Sequence, residues 1–421
     1  MFMAYGGYSK YVDLRMRVEP EKYLTAVFYV EPAKGKSLVQ AAEAVAAESS
    51  IGTWVKLSTM QDRVLQKLQA KVFEINRNGI IKIAYPLEIF ENGNAPQLLS
   101  DIAGNIFGMK EVENIRLLDF EAPKKYVQSF PGPAFGVEGI RKIAGTLKER
   151  RPHIGTIVKP KVGLTPKENA AVAYEAWMGG CDFVKDDENL TSHSFSPFEE
   201  RVVRVLEAAD KAEAETGAKK MYAPNITASA DVMLKRAEFV KAQGGNCIMV
   251  DVITAGFAGV QFIRGRNLGM CIHAHRAMHA AFGRNKRHGI AMKVIAKISR
   301  MCGTDQLHIG GIVGKMEGDE KEVREISREM RKLGGCWRKM KPVFSVCSGG
   351  LSPLSIPFLY KTLGRDIIIQ AGGGVHGHPD GTRAGAIAMR QALDASMRGV
   401  SLKEYAKGHE ELRKAVEKFG K

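Results

Sequence analysis

Residues 154–188, IGTIVKPKVGLTPKENAAVAYEAWMGGCDFVKDDE, contain the strand–helix–strand unit that decides the fold. Two short β-rich runs, 154–160 and 182–188, flank a helical pattern. The start of the helix is well marked, because Thr165 and Glu168 form a capping box and Pro166 occupies the first helical position. Such an alternation of strand and helix is typical of an α/β domain.

The same alternation continues along the chain after this unit. Eight strand-like runs alternate with helical patterns over about 260 residues, which is the size of a (β/α)8 TIM barrel. The runs are residues 154–160, 182–188, 220–225, 247–252, 268–275, 305–310, 342–350 and 366–374. A doubly wound open sheet is the structural alternative, but eight regular units favour closure. We therefore predict a barrel domain over residues 137–421, ending in a helical tail.

The preceding residues, 1–136, predict a smaller α+β domain. The strand-like runs 23–30, 71–75, 80–85 and 114–120 and the helical patterns 37–47 and 96–108 follow the order β-α-β-β-α-β. Asn76-Arg77-Asn78-Gly79 separates the two central strands and is a hairpin signal. This order is that of a ferredoxin-like domain, and the Pro/Gly-rich stretch 129–136 marks its end.

The composition excludes several classes of protein. Of 421 residues, 45% are hydrophobic and 26% charged, values that are typical of a globular protein and exclude disordered, collagen-like and coiled-coil chains. No run approaches about 18 consecutive apolar residues, the length of a membrane-spanning helix, and residues 1–15 lack the pattern of a secretory signal. The six cysteines are scattered without a C-x-x-C pair, so we expect no zinc site, no disulfides and a cytoplasmic location.

The net charge of +16, from 62 basic and 46 acidic residues, leaves two classes of partner open. A basic protein can bind nucleic acid or small anionic substrates. The basic residues are mostly mixed with acidic ones, as in residues 317–332, and no basic block is interleaved with aromatic residues. Solvated helix faces explain this pattern, so we expect neither a nucleic-acid nor a membrane partner.

Polar residues and glycines stand at the end of one predicted strand after another. They are Lys159, residues 185–188, His273, His275, His308, residues 348–350 and residues 372–374. The carboxyl ends of the strands of a TIM barrel meet on one face, where the active site lies. Strands that serve only stability have no need of such residues, so the sequence predicts a catalytic barrel.

Residues 185–188, Lys-Asp-Asp-Glu, indicate a metal site at this face. Lys185 and Asp187 share one side of an extended strand, and Glu188 can join them where the strand ends. Carboxylates at such a place suit Mg²⁺, which takes oxygen ligands. The lysine is either a salt-bridge partner or an amine that CO₂ has converted into an anionic carbamate. A plain surface Lys–Asp pair is the simpler alternative for these four residues alone.

Two further lysines and a loop indicate proton transfer and a lid. Lys159 and Lys161 have one orientation after the first barrel strand, and neighbouring cations lower the pKa of a lysine, which suits proton transfer. Exposed lysines are the alternative. Glycines bracket Lys315 within residues 308–319, so this loop could carry the lysine over the site, although a flexible turn has the same composition.

The remaining strand-end residues point to phosphate. His273 and His275 form an H-x-H pattern that could bind a metal, but Arg276 opposes a cation and favours a phosphate. The glycine-rich stretches 348–350 and 372–374 follow the last two strands, where barrel loops commonly offer backbone N–H groups to a phosphate. Two such places predict a small bisphosphate as substrate.

Several long segments together resemble the large subunit of ribulose-1,5-bisphosphate carboxylase/oxygenase (RuBisCO), in particular the archaeal form III type. They are GTIVKPKVGLTPKE (155–168), GGCDFVKDDENLTSHSF (179–195), HAHRAMHAAF (273–282), HIGGIVGKMEG (308–318) and QAGGGVHGHPDG (370–381). AAESSIGTW (46–54) and GNIFG (104–108) extend the resemblance into the first domain. It covers nearly the whole chain.

The resemblance implies a catalytic role for several of these residues. Lys185 would be a carbamylated lysine that binds Mg²⁺ with Asp187 and Glu188, and its carbamate would remove the substrate C3 proton to give an enediolate. Lys159 would be the proton donor and acceptor at C2, and His275 would assist proton transfer and hydration.

The resemblance also implies how the substrate binds. Lys315 would close over the site and stabilise the carboxylate formed from CO₂, and Lys161 would support Lys159. One phosphate would bind to Arg276, His308 and Ser348. The other phosphate would bind to residues of the glycine-rich loops and the first domain, together with Lys315: Thr53, Trp54, Gly349, Gly350, Gly372 and Gly373.

The implied activity is carboxylation of ribulose 1,5-bisphosphate to two 3-phosphoglycerates, with oxygenation by O₂ as a competing reaction. Form III implies a place in the salvage of AMP and other nucleotides. Glu48 and Asn105 would reach the active site of a neighbouring subunit in a homodimer, which could assemble further without a small subunit. The alternative within the family's fold is a RuBisCO-like enolase or isomerase that acts on a related phosphorylated ketose.

Overall fold

The computed structural model describes residues 11–52, 55, 57–312 and 319–420. Its strands are β1 (Tyr23–Pro32), β2 (Lys71–Ile75), β3 (Ile80–Pro86), β4 (Val112–Glu121), β5 (His153–Ile157), β6 (Phe183–Lys185), β7 (Met221–Ala223), β8 (Cys247–Asp251), β9 (Cys271–His275), β10 (Gly289–Ile290), β11 (Gln306–His308), β12 (Phe344–Cys347) and β13 (Ile367–Gln370).

Helices separate most of these strands. They are α1 (Leu38–Glu48), α2 (Asp62–Leu68), α3 (Ala95–Ile102), α4 (Lys124–Val127), α5 (Gly136–Ile143), α6 (Pro166–Met178), α7 (Phe198–Thr216), α8 (Ala230–Ala242), α9 (Gly256–Gly265), α10 (His279–Gly283), α11 (Met292–Cys302), α12 (Glu320–Arg331), α13 (Ile356–Leu363), α14 (Gly373–His376), α15 (Gly381–Arg398), α16 (Leu402–Tyr405) and α17 (Glu410–Phe419). No helix of the described ranges is long and apolar enough to cross a membrane.

The chain divides into two compact units. The first combines the described residues up to Pro131 with Met278–Met301 and Leu333–Met340, and the remaining described residues form the second. The two inserted segments lie far along the chain from the rest of the first unit. The predicted division into two continuous domains at residue 136 stays a prediction.

The second unit contains the predicted barrel. Its strands are parallel and follow the order β7-β6-β5-β13-β12-β11-β9-β8. A parallel bridge between Asn225 and Met249 joins the two ends of this order, next to β7 and in β8. The ring is therefore closed, which confirms the barrel against the open-sheet alternative. Each of the eight predicted runs contains or overlaps one observed strand.

The first unit contains the predicted ferredoxin-like arrangement. Its sheet has the order β10-β4-β1-β3-β2, in which β1 is antiparallel to both β3 and β4. The helix predicted over 96–108 ends earlier, at Ile102, and a 3-10 turn follows at Asn105–Gly108. The two-residue strand β10 and the helix α2 were not predicted, and α2 buries none of its residues.

The core of the barrel is apolar towards its amino end. Side chains from six strands pack with Val137 and Ile140 of α5: Phe183, Met221, Ala223, Cys247, Met249, Cys271, Phe344, Val346 and Ile368. All six cysteines are free thiols, and five of them are buried. The expectation of no disulfides agrees with these six residues, each of which lies in the described part.

Aspartates that directly precede strands tie the amino end of the barrel together. Asp182, before β6, accepts two hydrogen bonds from Arg151, at 2.7 and 2.8 Å, and one from Arg390 at 2.8 Å. It also accepts the backbone N–H of Ile154 on the neighbouring strand, at 2.8 Å. Burial alone would raise the pKa of Asp182, but Arg390 and Arg151 outweigh it and hold that pKa far below its usual range.

Asp182→Asn should therefore destabilise the barrel strongly. The variant removes the carboxylate charge that faces the half-buried guanidiniums of Arg390 and Arg151, and it leaves Arg151 paired with Glu149. About 3 kcal/mol of unfolding free energy, the lower end for a broken buried pair, is the expected loss. Urea unfolding at pH 7 measures it. Because the pKa of Asp182 is lowered by folding, its stabilisation is present above the ordinary value of 3.8 and is lost as the pH falls below it. The difference between wild type and variant should shrink in that acid range.

Glu417→Gln is the matched control, since Glu417 makes a 2.7 Å ion pair with Arg413 on the exposed face of α17. Its loss should stay within about 0.5 kcal/mol at pH 7. Equal losses in the two variants would show that the buried cluster at Asp182 contributes no more than a surface pair.

Candidate active site

Polar residues at the carboxyl ends of the barrel strands share one rim, because all eight strands are parallel. The strands β6, β8, β9 and β11 end in Lys185, Asp251, His275 and His308. Lys159, Ser348 and Gly372 follow within two residues of β5, β12 and β13. The prediction that the polar strand ends meet on one rim is confirmed for each of these positions except Asp251, which was not predicted.

Lys185 is a buried amine at the rim. Its side chain is 1% exposed, and Nζ lies 4.0 Å from Glu188 Oε2. Nζ donates to the backbone oxygen of Asp186 at 2.8 Å and lies 3.3 Å from the sulfur of Met249. Burial lowers the pKa of Lys185, against the opposing effect of the Glu188 and Asp187 carboxylates. The uncharged amine, which is a nucleophile, is therefore easier to form here than on a free lysine.

Asp187 faces the ammonium group of Lys159. Lys159 Nζ donates to Asp187 Oδ2 at 2.7 Å, and Asn189 donates to Oδ1 at 3.1 and 3.2 Å. Burial would raise the pKa of Asp187, but these hydrogen bonds outweigh it and lower that pKa. Gly372 makes room for the lysine stem, since a Cβ at that position would lie 3.0 Å from Lys159 Cε. Asp187 is thus a carboxylate in a cationic setting.

Asp186 takes no part in the rim. It is fully buried and accepts hydrogen bonds from Tyr222 at 2.7 Å and from Arg201 at 3.2 Å. Its other carboxylate contact is the backbone N–H of Asn225, at 3.1 Å. This contact fixes the turn that follows β6, and so Asp186 orients the chain on which Asp187 and Glu188 stand.

The side chains around Lys185 provide enough oxygen ligands for a cation only if Lys185 carries a carbamate. Among the described residues, no group of three or more His, Cys, Asp or Glu side chains could hold a metal ion. Asp187 and Glu188 supply two carboxylates, and a hard cation such as Mg²⁺ prefers more oxygen ligands. A carbamate on Lys185, whose Nζ is 4.0 Å from Glu188 Oε2, would add the third anionic oxygen group. The residues present therefore fit Mg²⁺ when Lys185 carries CO₂.

His275 is held between two carboxylates. Its Nδ1 lies 2.7 Å from Asp251 Oδ1, and its Nε2 lies 3.7 Å from Glu188 Oε2. A proton on Nδ1 that is donated to Asp251 leaves Nε2 free to accept or deliver a proton at the rim. Asp251 was missed in the sequence, although its position as the last residue of β8 follows the same strand-end rule.

His308 belongs to a buried histidine cluster. Its Nδ1 is 2.8 Å from Ser348 Oγ, and its Nε2 is 2.8 Å from His273 Nε2. His273 in turn lies 2.7 Å from Gln306 Oε1 through its Nδ1. His273 is therefore engaged inside the barrel by a histidine and an amide, and it does not form a pair with His275.

Arg276 lies against Gly310, where the backbone conformation and the close guanidinium both favour glycine. Gly310 has φ +107°, and a Cβ there would lie 2.6 Å from Arg276 Nη2. Burial lowers the pKa of Arg276 to about 10, a value at which the guanidinium keeps its charge at neutral pH. Gly310 thus leaves space for a cation suited to bind a phosphate.

The two glycine-rich loops, residues 348–350 and 372–374, contain glycine for different structural reasons. Gly349 and Gly350 both have positive φ, +113° and +74°. Gly374 is needed for close packing, since a Cβ there would lie 2.7 Å from Ser352 Cα. Gly373 begins α14, so its backbone N–H is among those that have no partner within the helix.

The other predicted site residues fall into three groups. Lys161 is exposed after β5. Glu48 and Asn105 lie in the first unit, where Asn105 Nδ2 is 3.5 Å from Glu48 Oε1, so these two are brought together. Thr53, Trp54 and Lys315 lie outside the described residues.

Two family models match the chain over almost its whole length. Residues 139–419 match "Ribulose bisphosphate carboxylase large chain, catalytic domain", and residues 10–126 match the N-terminal domain of the same large chain. The protein named ribulose bisphosphate carboxylase from Methanocaldococcus jannaschii is 50% identical over 97% of this chain and 99% of its own length. That of Pyrococcus furiosus is 50% identical over 98% of both chains.

Solved structures show the same similarity. An octameric ribulose-1,5-bisphosphate carboxylase/oxygenase from Pyrococcus horikoshii, in complex with sulfate, superposes with a TM-score of 0.93 at 47% identity, over 98% of this chain and 97% of the other. A dimeric archaeal Rubisco from Hyperthermus butylicus superposes with a TM-score of 0.91 at 43% identity, over 98% and 99%.

Gly310→Ala should displace the Arg276 guanidinium and weaken the binding of inorganic phosphate, about tenfold for one lost charge-assisted hydrogen bond. The matched control is Gly334→Ala, because Gly334 also has a positive φ, +93°, but no atom within 4 Å of an added Cβ. Both variants should lose about 1 kcal/mol of stability to backbone strain. Calorimetric titration with phosphate and urea unfolding separate the effects, and equal phosphate affinities would contradict the assignment of Arg276.

Proposed function

The chain belongs to the ribulose bisphosphate carboxylase large-chain family, and on that premise we propose that it carboxylates ribulose 1,5-bisphosphate to two molecules of 3-phosphoglycerate. The family resemblance predicted from the sequence is confirmed, and so is its class of enzyme. The observation that carries the proposal is the buried amine of Lys185, set beside Glu188 on a strand next to the one that leads to Lys159. Reaction of the enediolate intermediate with O₂ in place of CO₂ would be the competing oxygenation.

We propose that the site is activated by CO₂ and Mg²⁺. The uncharged Lys185 amine attacks CO₂, a bond forms between Nζ and the carbon, and one proton leaves to solvent. The carbamate that results would hold Mg²⁺ together with Asp187 and Glu188. The bound cation would supply positive charge that stabilises oxyanions of the substrate. Burial favours this route because it lowers the pKa of Lys185.

The side chains at the rim divide the proton transfers between them. Lys185, once carbamylated, would take the proton from C3 of the substrate to give the enediolate, and C2 of the enediolate would then bond to CO₂. Water adds at C3 with help from His275, whose Nδ1 is held by Asp251 at 2.7 Å. The C2–C3 bond breaks, and Lys159 protonates C2 of the product half that leaves as a carbanion.

The two phosphates would bind at opposite parts of the rim. Arg276, His308 and Ser348 would hold one phosphate, and Lys161 would support the substrate oxygens. The other phosphate would bind to the backbone of the loops at Gly349–Gly350 and Gly372–Gly373, together with Thr53, Trp54 and Lys315. The short distance between His308 and Ser348, 2.8 Å, supports a shared ligand for the first group.

The proposed assembly is a homodimer or a set of dimers without a small subunit, with Glu48 and Asn105 completing the site of the neighbouring copy. The dimeric and octameric relatives support it. We propose a role in nucleotide salvage, with AMP as the source of the ribose, on the ground that archaeal relatives span the whole chain.

The test is carboxylation with labelled bicarbonate, measured as acid-stable label in 3-phosphoglycerate after incubation with Mg²⁺ and CO₂. Wild type should incorporate label, and Lys185→Met should fall to background at any Mg²⁺ concentration because no anionic group replaces the carbamate. Lys220→Met is the matched control. It removes a buried lysine that donates to Trp177 O at 3.2 Å just before β7, at the opposite end of the barrel, and it should keep the activity. Full activity of Lys185→Met would refute the metal assignment.

Lys315→Ala separates the carboxylase from an enolase or isomerase. If Lys315 stabilises the carboxylate formed from CO₂, the variant should lose carboxylation and still exchange the substrate C3 proton with solvent. Both are measured on one sample, by label in 3-phosphoglycerate and by deuterium uptake into ribulose 1,5-bisphosphate. Retention of carboxylation would remove Lys315 from the mechanism, and proton exchange without carboxylation in wild type would identify an enolase.

A further inference from the structure

A line of three hydrogen bonds runs from the interior of the barrel to its rim. It joins Gln306 to His273 at 2.7 Å, His273 to His308 at 2.8 Å, and His308 to Ser348 at 2.8 Å. Gln306, His273 and His308 are buried, whereas Ser348 is partly exposed. The positions of the ring protons on His273 and His308 therefore determine whether the Ser348 hydroxyl donates or accepts a hydrogen bond at the rim.

Only two arrangements of protons satisfy this line. Burial holds the pKa of both His273 and His308 well below the usual histidine value, so each ring is neutral and carries one proton. In the inward arrangement, Ser348 donates its hydroxyl proton to His308. In the outward arrangement, His308 donates from Nδ1 to Ser348, and the hydroxyl proton of Ser348 is free to point away from the barrel.

The orientation of the Gln306 side-chain amide determines which of the two arrangements forms. With its oxygen 2.7 Å from His273 Nδ1, its Nε2 is buried and has no hydrogen-bond partner in the described part of the chain. A half-turn of the amide exchanges oxygen and nitrogen in the same space. It gives the nitrogen a partner and leaves only a carbonyl oxygen unpaired, which proteins tolerate better than an unpaired N–H.

We infer that Gln306 and His273 are positioning residues that hold the line in the outward arrangement. Gln306 donates to Nδ1 of His273, and His273 donates from Nε2 to Nε2 of His308. His308 then donates from Nδ1 to Ser348, so that its contribution to phosphate binding passes through that hydroxyl, whose proton is left for an anionic ligand. The inference rests on the proposed function in one respect, that a substrate phosphate binds at Ser348.

The arrangement of protons is measured directly by solid-state NMR of the full chain labelled with ¹⁵N at its ten histidines. We expect the proton on Nε2 in His273 and on Nδ1 in His308, with signals assigned from single histidine variants. A proton on Nδ1 in His273 would overturn the inference. This measurement needs no substrate, so its outcome is independent of the proposed reaction.

Two variants test the consequence for the substrate. His273→Gln keeps an amide N–H that can donate to His308, whereas His273→Met offers only a weak acceptor of similar size. The KM for ribulose 1,5-bisphosphate should rise about tenfold in His273→Met and stay within about threefold of wild type in His273→Gln. The kcat should change little in either variant, because the phosphate contact is present in both ground and transition states.

The outcomes distinguish the two ideas. Equal KM values in the two variants, or a loss confined to kcat, would contradict the positioning role while leaving carboxylation intact. If wild type fixes no labelled CO₂, the proposed function fails, and the NMR result still decides the arrangement of protons. If neither variant folds, the NMR measurement on the unaltered chain remains decisive.

Discussion

Closure of the barrel is the constraint on which the rest of the site depends. The bridge between Asn225 and Met249 joins the two outer strands of the eight, so every strand end is held in one ring. Residues that are far apart in sequence, such as Lys159 and His308, are therefore placed on one rim without any contact of their own. An open sheet of the same strands would leave β7 and β8 at opposite edges, and the carboxylates near β6 would lose His275.

The two ends of the barrel treat buried charge in opposite ways. At the amino end, each buried carboxylate is fully matched: Asp182 accepts four hydrogen bonds, three of them from arginines. At the carboxyl end, the buried amine of Lys185 has Glu188 Oε2 at 4.0 Å, and Asp187 and Asp251 act on it only through their charge. Complete pairing gives stability, and incomplete pairing leaves an amine that can react. Buried charged groups thus stabilise the fold at the amino end of the barrel and provide a reactive amine at the carboxyl end.

The sequence was sufficient for the features that repeat or that end a strand. The eight strands and the β-α-β-β-α-β order of the first elements follow from local periodicity, and the capping box at Thr165 follows from its residue types. It was insufficient where the partner of a residue is distant in sequence. Asp251 ends β8 and so follows the strand-end rule, but its contact with His275 depends on the pairing of β8 with β9. Gln306 stands at the start of β11, and nothing in its local sequence indicates its contact with His273. Helix α2 was missed because it has only seven residues and buries none of them.

Residues 278–301 complete the sheet of the first unit, but they are synthesised long after its other strands. Strand β10 pairs with the edge of β4, and Arg116 of β4 donates to the backbone of Gly283, 167 positions later in the chain. A ribosome delivers the amino-terminal residues first. During that interval β4 has an uncovered edge, and unpaired strand edges are templates for wrong partners. The first unit is thus completed only by residues synthesised after most of the barrel strands, and the cell has to keep this edge from pairing with another chain until then.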